Sequence, residues 1–224
     1  MKNAEELLRT SVWGPSLTAE EMAKAIAGTF ERTFAPGAFI CMKGEPVDYW
    51  MGIIDGLGKM ASHWTTGKTT SLTGISSGGW FGEGSLLKDE MRKYDILALR
   101  DSRIACMPRA TFNRLLDSNL GFNRFVLVQL NERLGQFITL VESERLLEPD
   151  ARVARSLAVL FNPVLNPDIG RRIQISQEEI GLLCGFSRQR INQALQVLER
   201  AGLLRVEYGG ITVDDLPGLQ GYGA

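Results

Sequence analysis

The stretch from Ser176 to Val206, SQEEIGLLCGFSRQRINQALQVLERAGLLRV, leaves the chain little choice of local structure. Ser176 is a good helix N-cap, and Glu179 stands three residues on, the spacing of a capping box. The helix it opens runs to about Leu183. Gly185 supplies the reversal, because a sharp turn between helices often needs a residue that tolerates positive φ. Ser187 caps a second helix. There Ile191, Ala194, Leu195 and Leu198 fall at i, i+3, i+4 and i+7 and form one apolar face. Arg188, Gln189, Asn192, Gln193 and Gln196 fall on the opposite face, one arginine and four amides with no acid. These side chains suit base edges, Arg pairing bidentately with guanine and Asn or Gln with adenine. Ala201-Gly202 ends the helix. Two short strands, Leu203 to Glu207 and Ile211 to Val213, flank Tyr208-Gly209-Gly210. The pattern is a winged helix-turn-helix. A surface helix in a non-binding helix-turn-helix would share parts of it, but caps, turn glycine, buried face and amide-rich outer face together predict contact with double-stranded DNA.

The chain has 224 residues, enough for about two domains. It is 44% hydrophobic and 23% charged, with a net charge of −1. No run of 18 apolar residues exists, so no membrane span is expected. The N-terminus, MKNAEELLRT, is too polar for a signal peptide. Cys41, Cys106 and Cys184 form no C-x-x-C, which predicts reduced thiols and a cytoplasmic location. Overall charge does not advertise nucleic acid. From Arg171 to Tyr208 six Arg stand against four Glu, net +2. Phosphate affinity therefore rests on a few placed arginines and on dimerisation.

Upstream, residues 4–27 are helical in pattern, broken at Trp13-Gly14-Pro15, with Thr18 capping the restart. From Phe30 to about Met107 short apolar runs alternate with glycines, the pattern of a compact antiparallel sheet, here a β-roll or barrel. In it Thr66-Gly67-Lys68-Thr69 ends like a P-loop, but Ser62 stands where that loop needs glycine, and two strands flank it, so a hairpin turn is expected. Pro108 opens a helix over Arg109 to Asp117. A longer one follows from about Gly121 to Leu147. Leu127, Leu130, Leu134, Phe137 and Val141 are spaced 3, 4, 3 and 4 apart, which predicts a homodimer seam, although the same stripe could lie on the protein's own sheet. Pro149 stops this helix and Asp150 caps the next, Ala151 to Phe161. A loop with two prolines leads to a strand over Ile173 to Ile175. The glycine-rich tail from Leu216 is expected to fray. The fold class is α+β: an effector-sensing domain over residues 1–118, a dimerisation helix over 119–148 and a winged helix-turn-helix domain over 149–224.

In this order the chain resembles the Crp/Fnr superfamily of bacterial transcription factors over nearly its whole length. PGAFICMKGEPVDYWMGIIDG, Gly78 to Leu87 (GGWFGEGSLL), Arg152 to Leu157 (RVARSL) and the helix-turn-helix carry the resemblance. It implies a regulator that binds a palindromic site as a homodimer, with RNA polymerase as a partner if it activates. It places Arg188, Gln189 and Gln193 at the base-reading positions. The usual Glu is replaced by Gln189 and a later Arg by Gln193, which predicts a shift towards adenine. Arg190 points to the flank, as a phosphate contact.

Gly82, Glu83, Gly84 and Ser85, with Arg92 further on, resemble the phosphate-binding cassette of cyclic-nucleotide domains. Backbone N–H groups after a glycine turn would cradle a phosphate, Arg92 would neutralise it, and Glu83 would accept from a ribose hydroxyl. The match is partial: Lys93 stands where Ser or Thr is usual, and Phe137 and Ile138 where the long helix would offer hydroxyls, with Thr139 slightly out of place. Cyclic AMP is one candidate effector; another small molecule, or none, is the alternative. No cysteine precedes Cys41, which argues against the family's iron–sulfur branch, and a lone His63 argues against haem. A small-molecule module whose helix-turn-helix does not bind DNA is the competing function, and salt-dependent DNA affinity would count against it. No catalytic triad, metal-spaced cluster or P-loop is present, so no enzyme is expected.

Overall fold

The computed structural model describes residues 2–63 and 69–223. The predicted turn at Thr66-Gly67-Lys68 lies outside them. Helix α1 (Ala4–Thr10) and helix α2 (Ala19–Gly28) flank a 3-10 turn at Gly14–Ser16, and Thr18 forms a capping box with Glu21. Strands β1 (Phe30–Phe34), β2 (Phe39–Cys41), β3 (Tyr49–Asp55), β4 (Leu57–His63), β5 (Thr69–Ser76) and β6 (Trp80–Phe81) follow. After a short helix α3 (Glu83–Leu87) come β7 (Asp95–Ala98) and β8 (Ser102–Pro108). They form two four-stranded sheets, ordered β1-β8-β3-β6 and β2-β7-β4-β5, antiparallel throughout. This is the expected β-roll. Strands β4 and β5 pair up to His63 opposite Thr69.

Helix α4 (Arg109–Ser118) leads to the long helix α5 (Leu120–Leu146), whose Asn119 cap accepts from the Phe122 amide. An aromatic cluster locks the start of α5 to the roll. Trp50 stacks on Trp80 with ring centroids 4.3 Å apart, and Trp13, Phe112 and Phe122 pack edge-on or tilted around them. Such pairs add stability beyond their buried area.

The seam needs correction. Leu127, Leu134 and Val141 are 62%, 58% and 48% exposed, but Leu130 and Phe137 turn inward onto the roll. On a 3.6-residue helix those two lie roughly 60–80° round from Leu127. Leu120 and Ile138 join the exposed apolar stripe instead. The inward face is mixed: Phe122, Phe125 and Val126 are buried at its start, and Gln129, Arg133, Gln136 and Ser143 further along.

The hinge also differs. Glu148 occupies the cap of helix α6 (Pro149–Leu160), and Pro149 sits in its first turn, where a missing N–H costs nothing. Asp150 is therefore not the cap. Beyond strand β9 (Arg172–Gln174) lie α7 (Gln177–Cys184), α8 (Arg188–Arg200), β10 (Leu204–Glu207) and β11 (Gly210–Val213); β11 pairs with both β10 and β9, in a sheet ordered β10-β11-β9. The tail is not frayed. Asp215 caps a short helix α9 (Leu216–Gly221), and Leu219 is fully buried in the core shared by α6, α7 and α8. No described helix is long and apolar enough to cross a membrane.

Candidate nucleic-acid interface and sensor site

The reader is built as its sequence dictates. Ser176 accepts from the Glu179 amide, and Glu179 returns the bond to the Ser176 amide at 2.7 Å. Gly185 adopts φ 71°, so the chain reverses without a Cβ penalty. Ser187 accepts from the Arg190 amide, opening α8. Ile191, Ala194, Leu195 and Leu198 are buried to 1% exposure or less. Arg188, Gln189, Asn192, Gln193 and Gln196 are all exposed on one face.

Three details were not legible in the sequence. Arg190 turns back to Asp150 in an ion pair at 2.7 Å, whose angle does not make a hydrogen bond. It ties the reading helix to the hinge instead of projecting to the flank. Asn192 accepts from Gln177 at 3.2 Å, so its amide is partly spent within the protein. Tyr208 stands fully exposed at the tip between β10 and β11.

The reader is docked on the roll. Arg100, before β8, pairs with Glu179 at 2.7 Å and donates to the Gln174 carbonyl at 2.9 Å. Ser71 of β5 donates to the Leu182 carbonyl at 2.7 Å. A Cβ on Gly74 would press on the Leu160 side chain at 2.7 Å, so the glycine eases the close approach of α6 to β5.

In the roll, Gly82 adopts φ 99°, and a Cβ there would come within 3.2 Å of an Arg92 guanidinium nitrogen. Glycine is thus needed for both conformation and approach. Arg92 is 4% exposed; Nη1 has no partner, and Nη2 reaches only Met51 Sδ at 4.0 Å. Ser85 is buried beside it, and Gly84 continues α3. Glu83 is buried, and Arg133 of α5 donates to its Oε1 at 3.0 Å and to the Trp80 carbonyl at 2.6 Å. The carboxylate expected for a ribose hydroxyl is therefore engaged by α5. Lys93 is corrected: it points outward and pairs with Glu90 at 3.1 Å, because it begins a solvent-side turn. Phe137 and Ile138 carry no hydroxyl; Phe137 packs into the roll and Ile138 is exposed. Arg133 was missed because nothing local distinguishes an inward arginine from a solvated one.

Burial pushes the thiols of Cys41, Cys106 and Cys184 up to about 11, leaving them protonated and unreactive near neutrality. His63 Nδ1 lies 2.7 Å from Asp95 Oδ2, a polar sheet pair. No group of His, Cys, Asp and Glu among the described residues could hold a metal ion.

A winged helix-turn-helix with an exposed amide-rich helix, joined by a long helix to a β-roll, defines a DNA-binding regulator with a sensor domain. Comparison with known proteins agrees. Residues 31–119 match the model of the cyclic nucleotide-binding domain, and residues 151–222 that of the Crp-like helix-turn-helix domain. The chain is 30% identical to the cAMP-activated global transcriptional regulator CRP of Pasteurella multocida over 142 residues, covering 62% of this chain and 68% of that protein. It is 25% identical to the cAMP-activated global transcriptional regulator Vfr of Pseudomonas aeruginosa, covering 84% and 91%. The fold is shared with the structure of FixK2 from Bradyrhizobium japonicum at a TM-score of 0.70 and 16% identity, covering 88% and 98%. The chain belongs to the Crp/Fnr family of DNA-binding transcription regulators.

Proposed function

We propose that two copies of this chain pair along α5 and read a palindromic site through Arg188, Gln189 and Gln193, under control of an anionic effector held by Arg92. The exposed amide-rich face of α8 is the observation that carries the DNA reading. Half-sites about 34 Å apart match a two-fold pair of reading helices. Asn192 and Gln196 lie on the same face, while Arg190 acts through the hinge. Tyr208 supports the wing as a second contact. Fluorescence anisotropy on palindromes with A·T or G·C at the positions facing 189 and 193 tests the reading. A·T is the expected preference. Arg188→Ala is expected to cost about 1–3 kcal/mol on the selected site and little on random duplex. Equal losses on both would make Arg188 a phosphate contact, and indifference to sequence would remove α8 as the reader.

The effector reading rests on Arg92. A buried guanidinium without a counter-ion is costly, and an anion in the roll relieves that cost. Cyclic AMP is the first candidate, because the Pasteurella and Pseudomonas relatives are named as cAMP-activated. The Arg133–Glu83 pair and the outward Lys93 count against unchanged nucleotide recognition. Calorimetry with cyclic AMP and cyclic GMP is expected to show binding that Arg92→Ala abolishes. Binding unaffected by that change would remove Arg92 from the site.

A further inference from the structure

Helices α5, α6 and α9 border an open cleft that none of Gly82, Glu83, Ser85 or Arg92 lines. It measures about 420 Å³, and its wall includes Glu132, Gln136, Thr139, Arg155, Val159 and Asn162. A narrower recess of about 30 Å³ continues past Gln136, Thr139 and Arg155 to Thr73 and Gly74 of β5. The space thus lies where the roll, the long helix and the reader domain meet.

Two of its polar atoms are satisfied by nothing in the protein. Arg155 Nε is buried without a partner, and so is Gln136 Oε1. Gln136 is 8% exposed, and its Nε2 is already spent on Thr73 Oγ1 at 2.6 Å. Elsewhere, half-buried and buried arginines are paired: Arg100 with Glu179, Arg133 with Glu83, Arg190 with Asp150. Among the described residues only Arg92 and Arg155 depart from that rule. Glu132, on the same wall, is held by Asn162 at 2.7 Å and makes no ion pair with Arg155. A buried cationic donor and a buried acceptor, both without partners on one wall of this cleft, call for complementary groups.

We infer that this cavity is a second effector site, for a small organic anion that also carries a hydrogen-bond donor. Arg155 holds the carboxylate or phosphate, and Gln136 Oε1 accepts from the ligand's hydroxyl or amine. The volume suits such a molecule, since small-molecule pockets run from about 300 to 1,000 Å³. Gln136 and Thr139 belong to α5, Arg155 and Val159 to α6. The hinge at Leu147 and Glu148 lies between them. An occupant therefore bridges the hinge and sets the reader against the roll, and DNA binding must in turn change the ligand's affinity by the same factor.

The test uses the full chain with two probes, lactate for the carboxylate arm and glycerol 3-phosphate for the phosphate arm. Calorimetry and thermal shift are read without DNA, so the outcome is separate from the DNA reading. Saturable binding of either probe is expected, unchanged in Arg92→Ala and weakened about 10- to 100-fold in Arg155→Ala, the span a charge-assisted bond commands. Which probe binds names the anion class. Gln136→Glu sets a carboxylate at the cavity wall facing the incoming anion and is expected to block both probes with the fold intact, which covers the case where Arg155→Ala fails to fold. No binding of either probe at millimolar concentration overturns the site. So does binding that Arg92→Ala abolishes while Arg155→Ala and Gln136→Glu spare it.

Discussion

Leu134→Glu is expected to turn a dimer into a monomer and to weaken binding to a palindromic site by about 10²–10⁴-fold, the range that linking two binding events commands. The reason lies in which face of α5 is apolar. Leu120, Leu127, Leu134 and Val141 recur every seven residues and all are exposed, from 48% to 77%. A large apolar stripe in water marks an interaction surface, and a heptad repeat suits a second copy of the same helix. Leu134 stands in the middle of the stripe, so its replacement sets two carboxylates against each other across the two-fold axis. The same change should leave the monomer's stability within about 0.5 kcal/mol, because the side chain is 58% exposed and no hydrogen bond depends on it. Sedimentation equilibrium gives the oligomeric state, and anisotropy on whole and half palindromes gives the affinity. Half-site affinity should be unchanged. A Leu134→Glu protein that stays dimeric would move the seam elsewhere, and one that is monomeric yet binds the palindrome as before would show that pairing along α5 does not serve DNA binding.

The helix-turn-helix was legible almost residue by residue because its signals are local. Ser176 with Glu179, the φ of Gly185 and the Ser187 cap each act within four residues. The β-roll was legible as a class from its glycine punctuation, but not its strand order, which depends on non-local pairing such as β1 with β8. The reading of α5 failed in part for a related reason. The 3-4-3-4 spacing of Leu127 to Val141 describes a stripe wide enough to span two faces, and only the roll's position decides that Leu130 and Phe137 belong to the inner one. The burial of Gln129, Arg133 and Gln136 was not legible, because their partners, the Trp80 carbonyl, Glu83 and Thr73, lie at least 49 residues away in sequence. The tail was misjudged on its glycines; the Asp215 cap and the burial of Leu219 outweigh them. Of the sensor site, Gly82 and Arg92 were legible as types. The engagement of Glu83 by α5 and the outward turn of Lys93 were not.

Arg133→Met is expected to cost about 3–5 kcal/mol, the penalty for removing one partner of a buried ion pair. Glu83 is 2% exposed, and its Oε2 already lacks a partner. Without Arg133 its Oε1 loses the 3.0 Å bond as well, and the Trp80 carbonyl loses the 2.6 Å one, keeping only Gln129 at 3.2 Å. Methionine fills most of the volume but cannot offset a charge stranded in the roll. For a chain of this size the loss corresponds to a fall in melting temperature of about 6–20 °C, read by calorimetry. The double change Arg133→Met with Glu83→Met removes both charges and should recover most of that stability, since a buried pair is often no better than apolar residues of similar size. A double variant as unstable as the single one would place the cost in packing against Trp80 and not in charge. The recovered protein then isolates what the pair does for function. Arg133 lies on α5, one turn from Gln136, while Glu83 follows the glycine that Arg92 crowds. If the pair transmits an effector's arrival from Arg92 to the long helix, the double variant folds and binds DNA but no longer responds to ligand in the roll. A response that persists unchanged would assign the pair to stability alone.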